Sequence, residues 1–154
     1  MTTTIDKWHI RFLRLALEVS SWSKDPSTKV GCVLADERKR VIGMGFNGLP
    51  AGIADTVERL LDREAKLALT IHAEENALLF ATQSVRGSIA YITRHPCSNC
   101  AAKLIQSGVS VVIYLANPGF ERRWADNLRF SKQALMEAGI PVLSVSPTYL
   151  DFEE

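Results

Sequence analysis

An imidazole, a carboxylate and two thiols stand at spacings that suit metal-assisted hydrolysis: His72-Ala73-Glu74, and further on Pro96-Cys97-Ser98-Asn99-Cys100. One histidine nitrogen and two cysteine sulfurs make a three-ligand zinc set, and Glu74 stays free to move protons. Three ligands leave the fourth tetrahedral position to water, whose pKa zinc lowers from about 15.7 toward neutrality. A nucleophilic water beside a free carboxylate is what hydrolytic removal of an amino group from a base requires.

The spacing constrains local structure. Cys97 and Cys100, three apart, share one face of a helical turn. Pro96 suits the first helical position, where its missing N–H loses no bond. Thiolates there gain from unpaired N–H groups and the positive end of the dipole. His72 and Glu74, two apart, diverge on a regular helix and converge only if they straddle a helix entrance. A helix is therefore expected to begin close to His72, with Thr70 as its cap. Two cysteines three apart also suit a structural zinc half-site or a redox pair. A structural site needs a fourth protein ligand, and the remaining donors are Cys32, His9 and His95. Cys32 lies in the apolar run of residues 30–34 and reads as buried core. His9, on the polar side of an N-terminal helix, and His95, in a loop beside Pro96, read as solvated. Glu74 by itself is an ordinary first-turn carboxylate. The four residues together favour catalysis.

These groups need a scaffold, and the apolar pattern outlines one. Ile5, Trp8, Phe12, Leu15, Ala16 and Val19 recur at helical spacing, with Thr3 and Asp6 as a capping box. That helix should end before Pro26. Residues 30–35 and 41–46, separated by the charged 36–40, read as an antiparallel hairpin. Val57, Leu60, Leu61, Ala65, Ala68 and Leu69 form a stripe that predicts one amphipathic helix over 55–69. Further helices are expected over 72–83, 97–107 and 121–138, and strands over 89–93, 109–115 and 142–145. Gly108 and Gly139 suit helix C-termini. Parallel strands need helices on both faces. The expected fold is α/β, a three-layer α/β/α sandwich with a mixed five-stranded sheet, residues 1–154 forming one domain.

Composition narrows the partners. The chain has 154 residues, 47% of them hydrophobic, enough for a substantial core. A formal net charge of +1 gives no global field for nucleic acid or an anionic membrane. Arg38-Lys39-Arg40 reads as a solvated hairpin turn, and Arg122-Arg123 is a second local cluster. Three cysteines, two of them assigned to metal, point to a reducing compartment without a disulfide framework. The N-terminal residues lack a signal peptide's apolar core, and no apolar run approaches membrane-spanning length. A soluble, cytoplasmic protein is expected.

Larger segments carry a resemblance. His-x-Glu followed by Pro-Cys-x-x-Cys is the signature of the zinc deaminases. With it stand Ser23-Lys24-Asp25-Pro26-Ser27-Thr28-Lys29-Val30-Gly31, Gly45-Phe46-Asn47-Gly48-Leu49-Pro50 and His72-Ala73-Glu74-Glu75-Asn76-Ala77. This ordered set resembles the deoxycytidylate deaminases over roughly residues 22–140, and implies their cytidine-deaminase-like fold. It departs from them at Phe46, where the family often has tyrosine, and between Pro50 and His72, which lacks the extra Cys and His of some relatives. The resemblance implies conversion of dCMP to dUMP for thymidylate synthesis, with His72, Cys97 and Cys100 on one catalytic Zn2+. Glu74 would take a proton from water, pass it to N3 of cytosine and then protonate the departing amino group. The backbone N–H groups of Ala73 and Cys97 would face the base carbonyl and the attacked centre. Asn47 is similar to the asparagine that the family sets on the sugar, although Asn-Gly after a strand is also a turn signal. For the 5′-phosphate the candidates are Ser23 and Lys24 first, then Ser27, Thr28 and Lys29, although Ser-Lys-Asp-Pro equally ends a helix.

The same resemblance implies a homo-oligomer, a hexamer, activated by dCTP and inhibited by dTTP, with Mg2+ accompanying the triphosphate. Gly45, Asn47, Gly48 and Pro50 would form the effector loop. Arg59, Arg63 and Lys66 face either a triphosphate, a neighbouring subunit, or their own i,i+4 partners (Asp55 with Arg59, Asp62 with Lys66). A tRNA adenosine deaminase shares the metal motif but would be more basic. A nucleoside or free-base deaminase would need no phosphate pocket, and riboflavin-type deaminases space their cysteines farther apart. From another class, a non-enzymatic nucleotide sensor on a deaminase fold has no need of Glu74.

Overall fold

A computed structural model describes residues 4–151. Its centre is a mixed sheet in the order β2-β1-β3-β4-β5, with β1 Gly31–Ala35, β2 Val41–Phe46, β3 Ile89–Ile92, β4 Val111–Leu115 and β5 Val142–Val145. β1 runs antiparallel to both β2 and β3, whereas β3, β4 and β5 run parallel. The expected hairpin turn at 36–40 is solvent-exposed and turns on Lys39, in the left-handed region at φ 63°.

Successive strand residues point to opposite faces, and the apolar sequence exploits this. Val33, Ala35, Tyr91, Ile113, Leu115 and Val145 pack on Phe12, Leu13 and Ala16 of α1 (Lys7–Ser20). Their alternates Cys32, Leu34, Ala90, Ile92, Val112 and Tyr114 meet α4 (Ala73–Leu79), α5 (Ser98–Ser107) and α7 (Ala125–Glu137) through Ala73, Ala77, Ala101, Leu104 and Leu135. Both faces are thus covered, giving the three-layer α/β/α sandwich. Each fully buried Leu or Ile contributes about 1.5–3 kcal/mol. α1 lies close on the sheet because Gly31 has no side chain: a Cβ there would fall 2.0 Å from the Ala16 carbonyl oxygen.

Several local expectations are corrected. Thr3 lies outside the described residues; α1 is capped by Asp6, whose carboxylate accepts from the Trp8 and His9 N–H groups. His9 is buried, its Nδ1 accepting from the Asp6 N–H and its ring beside Tyr91. The helix expected over 55–69 is two short ones, α2 (Val57–Leu61) and α3 (Arg63–Leu69). Asp62 breaks it: its backbone turns extended and its carboxylate caps Ala65. The helix expected over 121–138 divides at Trp124 into α6 (Pro118–Arg123) and α7. Gly108 and Gly139 do take left-handed φ values, 84° and 74°, where two helices end.

Candidate active site

Two helix entrances meet at the metal motif. His72 is itself the N-cap of α4, with extended backbone (φ −73°, ψ 158°), and Glu74 lies in the first turn. Thr70, expected as this cap, instead ends α3. The change from extended to helical backbone lets two residues two apart converge. Cys97 is likewise the N-cap of α5, and the Cys100 N–H points to its sulfur at 3.5 Å. Pro96 therefore precedes the cap and is not the first helical residue, because the capping thiol needs extended backbone.

The donor set fits zinc. His72 Nδ1 lies 3.5 Å from Cys97 Sγ and 3.4 Å from Cys100 Sγ, and all three donor atoms fall within 4.8 Å of one another. Zinc bonds of about 2.3 Å to sulfur and 2.0–2.1 Å to nitrogen, at a tetrahedral angle, separate N from S by about 3.5 Å. The donors share charge: a hydrogen bond from Cys100 holds the Cys97 thiol down at about 4. A hydrogen bond to Cys97 lifts His72 to about 9, and Cys97 pushes the Cys100 thiol up. A cation bound by these atoms displaces the protons they share. Glu74 lies alongside, only 4% exposed. Burial raises its carboxyl above the usual glutamate range, against the pull of a hydrogen bond from Cys100.

Side chains from distant elements hold the two entrances. Glu75 accepts from the His72 N–H at 3.4 Å and from Lys103 Nζ at 2.6 Å, tying α4 to α5. Behind the cysteines, Ser131 of α7 donates to the Pro96 carbonyl at 2.7 Å, and Asn127 accepts from the Ser98 N–H at 2.9 Å. His95, expected to be solvated, is 2% exposed and packs edge-on against Tyr114. Its Nδ1 sits 2.9 Å from the Pro96 carbonyl, an acceptor, so that nitrogen carries the proton. Neither His9 nor His95 joins the three donors, and Cys32 lies fully buried in the core. A Glu three residues past the cap was a readable signal for Glu75. Ser131 and Asn127, some thirty residues from their partners, gave no local signal.

The remaining expected residues lie around the loop between α1 and β1. Asn47, 7% exposed, accepts from the Val30 N–H and donates to the Thr28 carbonyl, both at 2.8 Å. Ser23, 2% exposed, donates to the Asn47 carbonyl at 2.8 Å, and Lys29 reaches the Ser23 carbonyl. Lys24 pairs with Asp55 at 3.1 Å, and Lys66 with Asp25 at 2.9 Å. The expected i,i+4 partners of α2 and α3 are thus replaced by longer-range ones, because this loop runs beside them. Ser23 is buried with its hydroxyl given to a backbone carbonyl, whereas the Lys24 side chain, although paired, is 70% exposed. Ala73 is buried at the start of α4, where first-turn N–H groups lack helical partners. Gly45 is a packing glycine: a Cβ would lie 2.5 Å from Ala77 N and 2.6 Å from Ala73 O. Gly48 bridges to Ile71, and Pro50 accepts from the Ile53 N–H.

Comparison with known proteins agrees with this geometry. Residues 6–116 match the cytidine and deoxycytidylate deaminase zinc-binding region. An uncharacterized deaminase of Aliivibrio fischeri is 43% identical over 139 residues, covering 90% of this chain and 93% of that protein. A probable deoxycytidylate deaminase of Caenorhabditis elegans is 39% identical over 142 residues, covering 88% and 68%. The fold matches the dCMP deaminase of cyanophage S-TIM5, solved with dCMP and dUMP, at a TM-score of 0.73 and 23% identity, covering 93% and 100% of the two chains. The chain belongs to the cytidine and deoxycytidylate deaminase family of zinc-binding, hydrolytic deaminases.

Proposed function

We propose that this chain converts dCMP and water to dUMP and ammonia, and so supplies dUMP for thymidylate synthesis in the cytoplasm. The observation that carries the reading is a buried Glu74 beside, and outside, the His72, Cys97 and Cys100 donor set. The relative named as a probable deoxycytidylate deaminase supports the choice of nucleotide. His72, Cys97 and Cys100 would hold the zinc ion, which would supply a Lewis acid that makes water nucleophilic near neutral pH. Glu74 takes a proton from the water that adds to C4 and hands it to N3. It then takes the second proton from the hydroxyl now on C4 and delivers it to the amino group, so that the C4–N bond breaks, ammonia leaves and the C4 carbonyl forms. A carboxyl raised by burial suits both directions of transfer. The first-turn N–H of Ala73 donates to the base carbonyl, and the N–H of Cys97, the N-cap of α5, lies toward the attacked centre. Asn47 keeps one N–H and one lone pair beyond its two loop contacts, and these meet the sugar hydroxyl.

The proposal extends to control. Gly45, Asn47, Gly48 and Pro50 contribute to an effector loop that takes dCTP with Mg2+ as activator and dTTP as inhibitor, in a hexamer. Flat dCMP saturation curves, unchanged by either triphosphate, would remove this part. The central test is ammonia release from dCMP, CMP, dCTP, deoxycytidine and an adenosine-bearing tRNA hairpin. Preference for dCMP is expected. Preference for the hairpin or for deoxycytidine would transfer the chain to those substrates, and zinc-loaded protein inert on all five would leave a nucleotide sensor.

A further inference from the structure

Ser23 gives its hydroxyl to the Asn47 carbonyl and Lys24 shares its charge with Asp55, which leaves room for a further cation at the substrate's dianionic phosphate. Ligands of open α/β sheets gather outside the carboxyl ends of parallel strands. At that rim Arg94 follows β3 and stands three residues before Cys97, while α6 follows the neighbouring β4. The Arg94 guanidinium carbon lies 6.0 Å from the Phe120 ring centroid, and Arg123 is one helical turn beyond Phe120. Arg94 is half-buried, and the bond it makes to the protein is from Nη1 to the Thr93 carbonyl at 2.9 Å. Four of its five N–H donors are left over. Among the described residues no carboxylate pairs with Arg94 or Arg123. Burial and then the charge of Arg123 hold Arg94 below the usual guanidinium range, so the two cations press on each other. A dianion beside them relieves that repulsion, and a planar guanidinium fork matches phosphate oxygens.

We propose that Arg94, seconded by Arg123, grips the 5′-phosphate of the nucleotide substrate at the carboxyl rim of β3 and β4. The inference rests on the dCMP reading above. Steady-state kinetics on dCMP and deoxycytidine, with zinc content measured alongside, tests it in Arg94→Gln, Arg94→Lys and Arg123→Gln. Arg94→Gln should lower kcat/KM for dCMP about 10- to 100-fold, the range expected for lost charged hydrogen bonds, with most of the loss in KM. The same variant should change kcat/KM for deoxycytidine far less and keep its zinc. Arg94→Lys should recover part of the loss, and the exposed Arg123→Gln should show a smaller one in the same direction. An unaltered KM for dCMP in both Gln variants, or equal losses on nucleotide and nucleoside, would overturn the assignment. A wild-type enzyme that ignores dCMP would instead overturn the parent reading.

Discussion

In the proposed mechanism Glu74 owes its usefulness to being buried while standing outside the three-donor set. A solvated glutamate at neutral pH gives up its proton too readily to return it to a leaving amine, whereas burial brings its affinity nearer the working pH. The three donor atoms converge without it, so its chemistry is separable from metal binding. Glu74→Gln keeps the size and most of the polarity, and should retain full zinc while losing turnover about 10²- to 10⁴-fold, the usual contribution of general acid–base catalysis. Metal analysis with kcat on the same preparation checks both halves. Undiminished activity would take Glu74 out of the mechanism.

At the scale of elements, ion pairs between distant segments position the site loops. Asp25 and Lys66, at 2.9 Å, fasten the loop after α1 to α3, with side chains only 12% and 17% exposed. Burial by itself raises the Asp25 carboxyl, but Lys66 and the Ser27 and Thr28 N–H groups outweigh it and hold it below the usual aspartate range. A carboxylate depressed in the folded chain adds stability above its unfolded pKa of about 3.9, and that stability is lost as pH falls through the lower folded value. Lys66→Met should therefore destabilise the protein at pH 7 by about 1–3 kcal/mol. The deficit should shrink below pH ~4, where Asp25 in the unfolded chain is protonated. Thermal melts of both proteins at pH 7 and pH 3 give the comparison, and an equal Tm gap at both would exonerate the pair. Such contacts mark the limit of reading this sequence. Strands, their alternation and the helix entrances at His72 and Cys97 follow from local spacing, and were legible. The pairing of Lys66 with Asp25 depends on which segments fold side by side. Periodicity likewise cannot see that Asp62 caps a new helix inside an unbroken apolar stripe. His9 and His95 read as solvated because their burial is stabilised by hydrogen bonds with backbone groups, which composition does not reveal.

For the whole molecule, that stripe poses a different question. Val57 and Leu61 of the stripe are about two-thirds exposed (67% and 69%), as is Leu67 beside it (69%), and no residue of α2 or α3 is buried. A pattern regular enough to predict a core-facing helix thus faces outward in a single chain, and soluble monomers rarely expose contiguous apolar patches of this kind. Full burial of each such side chain against another copy would contribute about 1.5–3 kcal/mol, so a few of them hold an interface without contacts at the catalytic residues. On the hexamer proposed above, light scattering should return a mass six times that of the chain at micromolar concentration. Leu61→Lys with Leu67→Lys should yield a smaller species whose zinc content is unchanged, because the donor set is His72, Cys97 and Cys100. A wild-type protein that stays monomeric under the same conditions would refute the hexamer and require another partner for this stripe.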